Sequence, residues 1–256
     1  MRSFVVVKSR TIKIVLAMLA VIVLLTVSFG GVQLAEVFFG YSTRKVPIYS
    51  VQTDKKQVAI SFDAAWGADK TASIVEILQE YGVNATFFLV GFWVDEHEDE
   101  VRMISESGIE IGTHSENHPD MAKLDSETIK SELVTSTEKI EKITGKKVEL
   151  FRAPFGSYND TLLTQAEELG LMTIQWDVDT LDWKGLSATE MCSRVMDRVK
   201  NGSIILMHNN SDNILDGLKL ILQRLKAQGY EITSIGELVY KENFEIDRNG
   251  VQHSLA

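Results

Sequence analysis

The sequence has few of the residues that stabilise disulfide-rich or irregular proteins, since its 256 residues contain one cysteine and three prolines. A single cysteine, Cys192, excludes an intrachain disulfide framework. Cys192 has no histidine or acidic residue directly beside it in the chain. It is therefore interpreted as a small buried apolar residue of a helix rather than as a nucleophile.

Positive charge is also scarce, because 26 Lys and Arg residues face 36 Asp and Glu residues and the formal net charge is −10. An acidic protein repels nucleic acid and anionic surfaces, so we expect no nucleic-acid partner. With 45% hydrophobic residues, the chain is long enough for one sizeable core. This length suits a single α/β barrel, or equally two small domains.

Charge is absent altogether from Ile14 to Ala35. As a helix rising about 1.5 Å per residue, this run crosses the roughly 30 Å core of a bilayer. The basic residues before it predict a cytoplasmic segment at 1–13, and the chain after it is expected outside the membrane, beginning with a polar stalk at 36–56. The alternative is a cleaved signal peptide with Ser28 and Gly30 at its cleavage site. The length of the apolar run favours a retained anchor.

Apolar β-branched runs alternate with helical periodicity from residue 57 to residue 240. The predicted strands are Gln57–Asp63, Ala85–Val90, Glu110–Thr113, Val148–Arg152, Met172–Val178, Ser203–His208 and Glu231–Ile235. The predicted helices include Lys70–Tyr81, Ser126–Ile143, Thr161–Leu169, Ala188–Val199 and Ile214–Ala227. This alternation predicts parallel βαβ units in an α/β fold.

No glycine-rich phosphate loop follows the first predicted strand. The pattern therefore favours a distorted (β/α) barrel of about seven parallel strands, with an open doubly wound sheet as the alternative. The polar tail at 241–256 is expected to be peripheral.

Polar residues gather where five of the predicted strands end. Because the active site of a parallel barrel lies at the carboxyl ends of its strands, these segments are the candidates for function. They are SFD at 61–63, HSENH at 114–118, RAPFG at 152–156, DTLDW at 179–183 and LMH at 206–208. Three of the five histidines of the chain lie in them.

Three of these segments allow both a functional and a simpler interpretation. His114 and His118 can offer two imidazole nitrogens to a divalent metal, or can be surface residues that cap a loop before Pro119. Asp63 either has a functional partner or caps the next helix. Arg152 is harder to explain structurally, because a guanidinium at the end of a buried strand needs a carboxylate, and Asp63 is the natural candidate.

His208 and Asp182 form a second candidate pair. A lone histidine that closes an apolar run is usually a core residue with a satisfied hydrogen bond. Asp182 can supply that bond, or can tune His208 as an acid.

Taken in order, SFDAAWG, HSENH, RAPFG, DTLDW and LMH resemble the five motifs of the polysaccharide deacetylases, the NodB-homology group of carbohydrate esterase family four. The resemblance covers residues 57–240. The form SFDAAWG and the single N-terminal span are most similar to the membrane-anchored deacetylases of spore-forming bacteria. The resemblance implies metal-dependent removal of acetyl groups from the amino sugars of peptidoglycan or of a chitin-like glycan, outside the membrane.

The resemblance also implies a division of roles. Asp63 would be the general base, held in orientation by Arg152. His208 would be the general acid, positioned by Asp182. The other implied roles are metal ligation by His114 and His118 and lining of the acetyl pocket by Trp183, Leu206 and Phe155.

One position departs from the family pattern, because Ala64 stands where the family has a second aspartate, its third metal ligand. Three interpretations stay open: the two histidines act with extra water, a nearby donor such as Asp69 substitutes, or the metal binds weakly and activity is low. Zinc is the expected metal, with cobalt or manganese as alternatives.

The missing aspartate keeps a second kind of function open. A non-catalytic protein on this scaffold would bind wall glycan or a membrane partner during envelope or spore assembly. The joint presence of Asp63, Arg152, Asp182 and His208 favours the enzyme. A metal amidase for a small molecule is a third interpretation, which the predicted anchor disfavours.

Overall fold

The computed structural model describes residue 18 and residues 44–255. The chain divides into two units, Met1–Arg44 and Lys45–Ala256, and the fold described below is that of the second. The predicted cytoplasmic segment, the membrane span except residue 18, and the stalk up to residue 43 lie outside the described residues. Within the described part of the chain, no helix is both long enough and apolar enough to cross a membrane.

Residues 44–255 contain eleven strands, and eight of them form one large parallel sheet at the centre of the domain. The strands in chain order are β1 (Ser50–Val51), β2 (Gln57–Ala64), β3 (Thr86–Leu89), β4 (Glu110–Thr113), β5 (Leu150–Phe151), β6 (Met172–Thr173), β7 (Val178–Asp179), β8 (Ile204–His208), β9 (Glu231–Thr233), β10 (Phe244–Ile246) and β11 (Val251–Ser254). The large sheet has the order β6-β5-β4-β3-β2-β8-β7, with β9 also paired to β2. No ladder joins β6 to β7 within residues 44–255, so the sheet is a half-barrel. The predicted α/β class with about seven parallel strands is confirmed.

Helices cover the outer face of this sheet. They are Thr71–Tyr81, Gly91–Glu96, Glu98–Glu106, Ser126–Thr144, Asp160–Glu168, Ala188–Met196 and Ile214–Ala227. A short helix, Ile235–Leu238, instead packs with Ala59 and Phe88 in a smaller cluster. The longest begins where the Asp125 carboxylate accepts the Thr128 N–H, and it ends at Gly145 with φ 66°. Both are the usual signals for the two ends of a helix.

The central strand β2 shows how the sequence sets the two faces of the sheet. Val58, Ile60 and Phe62 belong to the hydrophobic layer under the helices, whereas Ala59 belongs to a smaller cluster on the other face. Alternate residues of a strand point to opposite faces. Asp63 falls in the same alternation as Ala59, which directs it to the inside of the half-barrel.

The predicted strand Met172–Val178 is wrong as a single element, because the structure has two strands there, on opposite edges of the sheet. Between them, Ile174 pairs with Ile48 of the N-terminal segment. The Asp177 carboxylate accepts the backbone N–H of Ile204 at 2.9 Å. These residues therefore cross from one edge to the other. The apolar residues that suggested one strand are instead buried in the segment that connects the two strands.

The folded domain extends beyond the predicted limits of 57 and 240 on both sides. Strand β1, placed in the stalk by the sequence, pairs in parallel with β11, which was placed in the peripheral tail. Ile48 and Val51 are each only 2% exposed. Gln252 is fully buried and exchanges hydrogen bonds with the backbone of Tyr240. The apolar residues before β2 and the last strands are thus part of one core.

Candidate active site

A cavity of about 790 Å³ opens at the carboxyl ends of the parallel strands. The sequence-predicted site residues that line it are Asp63, His114, His118, Phe155, Asp182, Trp183, Leu206 and His208. Arg152 is fully buried behind Asp63. Asp69 is exposed and is not among the lining residues, so the structure does not bring this proposed substitute ligand to the site.

Asp63 is paired with Arg152 inside the half-barrel. The Arg152 Nη1 donates to Asp63 Oδ1 at 2.7 Å, and its guanidinium lies 4.2 Å from the centre of the Phe88 ring. Burial alone would raise the pKa of Asp63, but Arg152, with His114 and His208, lowers it below the ordinary value. The carboxylate is therefore ionised near neutral pH and held in one orientation. This is the ion pair predicted from the sequence.

His208 is paired with Asp182, which begins the short 3-10 turn that follows the neighbouring strand β7. Asp182 accepts hydrogen bonds from His208 Nδ1 at 2.8 Å and from the His208 backbone N–H at 2.7 Å. Burial would lower the pKa of His208, but the Asp182 carboxylate raises it above the ordinary value. In the register of β2 and β8, Asp63 lies opposite His208. Asp63, whose lowered pKa keeps it ionised, thus lies beside His208, whose raised pKa favours the protonated form.

His114 and His118 present their rings to the same region. The His114 Nδ1 lies 2.8 Å from the carbonyl oxygen of Arg152; because a carbonyl only accepts, this nitrogen carries the proton and Nε2 keeps its lone pair. The two ring centres are 4.9 Å apart. Burial lowers the pKa of both rings, that of His118 to about 4. Both are neutral near pH 7, as metal ligation requires.

The donor set has two members where a catalytic zinc site commonly has three. Ala64 is fully buried in the hydrophobic layer under the helices. Within the described residues, no group of three or more His, Cys, Asp and Glu side chains is arranged to hold a metal ion. The two imidazoles fit a divalent cation, but no third protein ligand completes the site.

The loops around the cavity hold most of the strained backbone in the described chain. Among the described residues, five non-glycine residues have positive φ. Four of the five lie in the site loops: Ser115, His118, Phe155 and Leu181. Such conformations cost free energy and persist where the surroundings determine them. The backbone conformation of these residues is therefore fixed by tertiary contacts, against the intrinsic preference of each residue for negative φ.

Glu132, which the sequence did not single out, holds the loop of His118. Its Oε2 accepts the backbone N–H groups of Glu116 and Asn117 at 2.9 and 2.8 Å, and its Oε1 accepts the Asn117 amide at 2.8 Å. Glu132 lies in the middle of a helix and is only 8% exposed. The sequence alone carries no signal that separates Glu132 from the other acids of this helix, because its role depends on contacts with a distant loop.

Replacing Glu132 by alanine is expected to lower the free energy of unfolding by about 1–3 kcal/mol, because two buried N–H groups lose a charged acceptor. It is also expected to weaken metal binding, since the loop carrying His118 loses its support. Urea unfolding and titration calorimetry measure the two effects. Glu138→Ala on the exposed side of the same helix is the matched control. Unchanged metal affinity in Glu132→Ala would contradict the positioning role.

Three large aromatic side chains are exposed at the rim of the cavity. Phe155, Trp66 and Trp183 are 69%, 64% and 59% exposed, whereas Leu206 is buried at the cavity wall. Trp66 was not predicted for the site. Asp179 was quoted only as part of its motif, yet it lines the cavity, and burial raises its pKa.

The fold and the site thus define a parallel α/β half-barrel protein with a base, an acid and two imidazoles at the carboxyl ends of its strands. A sequence profile described as polysaccharide deacetylase matches residues 50–174. A peptidoglycan-N-acetylglucosamine deacetylase of Bacillus cereus is 30% identical over 201 residues, which are 77% of this chain and 73% of that protein. The chain belongs to the polysaccharide deacetylase family, whose deacetylases are hydrolases acting on amide bonds.

Two further relatives bear on what the chain does. An uncharacterized protein of Bacillus subtilis, YlxY, is 36% identical over 77% of this chain, and the match spans 62% of that protein's length. The crystal structure of a CE4 family pseudoenzyme from Bacillus anthracis superposes with a TM-score of 0.73 at 38% identity, covering 75% of this chain and 68% of that one. A mutant of that pseudoenzyme has restored enzymatic activity.

Proposed function

We propose that this chain hydrolyses the N-acetyl group of amino sugars in cell-wall glycan, releasing acetate. The observation that carries the proposal is that Asp63 and His208 lie opposite each other on adjacent strands, each held in an ion pair, Asp63 with Arg152 and His208 with Asp182. An amide hydrolysis needs one group that takes a proton and one that gives a proton. The similarity to peptidoglycan deacetylases supports an N-acetylated wall sugar as the substrate.

The residues divide the reaction as follows. Asp63 accepts a proton from a water molecule while the oxygen of that water bonds to the acetyl carbonyl carbon. His208 then donates a proton to the sugar nitrogen as the C–N bond breaks, which leaves acetate and a free amine. Leu206 and Trp183 line the wall available to the acetyl methyl group. A divalent cation, most simply zinc, bound by His114 and His118 would supply Lewis-acid stabilisation of the developing oxyanion.

A second candidate function is supported by Ala64. A fully buried methyl group stands where the family has a ligand, and a relative at 38% identity is a pseudoenzyme. On this proposal the cavity binds wall glycan without hydrolysing it efficiently, during envelope or spore assembly. The intact base and acid pairs favour the enzyme.

Acetate release tests the two candidates. The full chain, stripped of metal and then supplied with zinc, cobalt or manganese, is incubated with peptidoglycan and with chitin oligomers. Metal-dependent acetate release supports the deacetylase. Binding of glycan by a folded protein that releases no acetate with any of the metals would support the binding function instead.

The pH profile tests the role of Asp182. Because Asp182 raises the pKa of His208, the acid stays protonated to higher pH, and activity falls only as pH rises through that raised pKa. In Asp182→Asn, burial remains and the carboxylate is gone, so the alkaline limb of kcat is expected to move to lower pH. The acid limb, which reports Asp63 and its lowered pKa, stays in place. An unmoved alkaline limb contradicts this assignment.

We also propose that residues 14–35 anchor the protein as a single span, with the domain outside the cytoplasm. The uncharged run and the preceding basic residues support this orientation. Fractionation of cells followed by protease treatment of intact protoplasts tests it. A protein recovered in the medium without residues 1–30 would indicate a cleaved signal peptide.

A further inference from the structure

Trp66 combines an exposed ring with a fixed backbone. The ring is 64% exposed. The carbonyl of the next residue, Gly67, accepts hydrogen bonds from Trp93 Nε1 at 2.8 Å and from Asn209 Nδ2 at 2.9 Å. Trp93 is fully buried and Asn209 is 2% exposed, so both donors are themselves immobilised in the core.

Gly67 makes the turn that presents this ring. Its φ is +66°, and a Cβ atom there would lie 2.4 Å from the Asn210 amide nitrogen. A side chain at this position would be strained at that φ and would have to displace the Asn210 amide. The loop is therefore built to hold Trp66 at one place while leaving the ring in solvent.

That place is the rim of the cavity. The Trp66 ring contacts the His118 ring at 5.0 Å between centres, in an edge arrangement, and the Phe155 ring contacts the same imidazole at 4.7 Å. Trp66 and Phe155, both exposed, thus pack against one imidazole of the candidate catalytic centre. A glycan that extends from the cavity on this side therefore lies against the rings of Trp66 and Phe155.

The chemistry of the rim fits this ligand. Exposed aromatic surface beside a cavity marks a binding site, and a rigid ring loses little conformational entropy on binding. The electron-rich face of an indole attracts the C–H groups of an apolar, weakly positive surface, such as the face of a pyranose ring.

We propose that Trp66 is a stacking platform for a pyranose ring linked to the acetylated sugar, so that the protein recognises at least two consecutive sugars. This inference rests on the proposed function, which places the acetylated sugar in the cavity. It assigns to Trp66 a role in selecting glycan length, separate from the chemical step at Asp63 and His208.

The test measures binding of chitin oligomers of one to six sugars by titration calorimetry. The full-length protein is compared with Trp66→Ala, Trp66→Phe and Leu255→Ala, which truncates an exposed apolar residue outside the cavity. Trp66→Ala is expected to lose about tenfold in affinity for the longer oligomers and nothing for the single sugar. Trp66→Phe keeps most of the affinity, and Leu255→Ala keeps all of it.

Acetate release, measured on the same samples, separates this inference from the proposed function. Trp66-dependent binding of long oligomers without acetate release leaves the platform standing and removes the deacetylase. If Trp66→Ala and the unmodified protein release acetate with the same dependence on oligomer length, the deacetylase is supported and the platform is wrong. If the unmodified protein neither binds nor deacetylates any oligomer, both are wrong.

Discussion

Replacing Asp63 by asparagine is expected to lower acetate release by about a hundredfold to ten-thousandfold. The amide keeps the shape of the side chain but has no negative charge with which to take the proton of water. Asp63 is also the partner of a guanidinium that has no exposed surface. The variant therefore leaves Arg152 without its counter-charge, and a drop in stability accompanies the loss of activity.

The measurement is the rate of acetate release at saturating metal, together with thermal unfolding. Asp69→Asn is the matched control, because Asp69 is exposed and outside the cavity. Its activity and metal affinity are expected to equal those of the unmodified protein, and a loss of metal affinity would restore Asp69 as a ligand. Asp63→Asn protein that stays folded and fully active would remove Asp63 from its role as the base.

Replacing Ala64 by aspartate is expected to raise metal affinity by about a hundredfold or more, because it supplies the third protein ligand. Without metal, the same change is expected to destabilise the domain by about 3 kcal/mol, since it places a carboxyl group in a fully buried position within the hydrophobic layer. Added metal is then expected to restore the melting temperature, because it binds the folded state.

Ala64→Asn separates the two contributions, since it adds the same volume and a polar group but no anionic ligand. Calorimetric metal titration and thermal unfolding with and without zinc give both quantities. A destabilised Ala64→Asp protein whose melting temperature ignores zinc would mean that the carboxylate cannot reach the imidazoles. In that case the backbone at the end of β2, as well as the residue type, sets the two-ligand site.

Much of the site could be predicted because each residue has a local physical reason to be noticed. Arg152 at the end of an apolar strand demanded a carboxylate, and its partner is Asp63 at 2.7 Å. His208 at the end of another apolar strand demanded a hydrogen-bond partner, and Asp182 supplies it at 2.8 Å. Parallel strands then bring their carboxyl ends to one edge, so a fold class predicted from alternation was enough to gather these residues.

The remaining features depend on contacts between distant segments, which periodicity does not contain. Glu132 reads as one more acid of an amphipathic helix until its three hydrogen bonds to the loop at 116–117 are seen. Trp66 follows a predicted strand and was not expected in the site, and only its 64% exposure in the structure separates it from the core. The splitting of Met172–Val178 depends on Ile48, which lies far away in the sequence.

The pairing of β1 with β11 also sets the order in which the chain can finish folding. The two strands are separated by about two hundred residues, so the ladder closes only after nearly all of the polypeptide has been made. Until then Ile48 and Val51 have no cover from the last strand, although every residue from Asp63 to His208 has already been synthesised. A polypeptide that stops at Tyr240 would contain the complete set of candidate catalytic residues and still lack the last step of assembly. The segment that contains β11 thus contributes to completing the fold, although it carries none of the candidate catalytic residues.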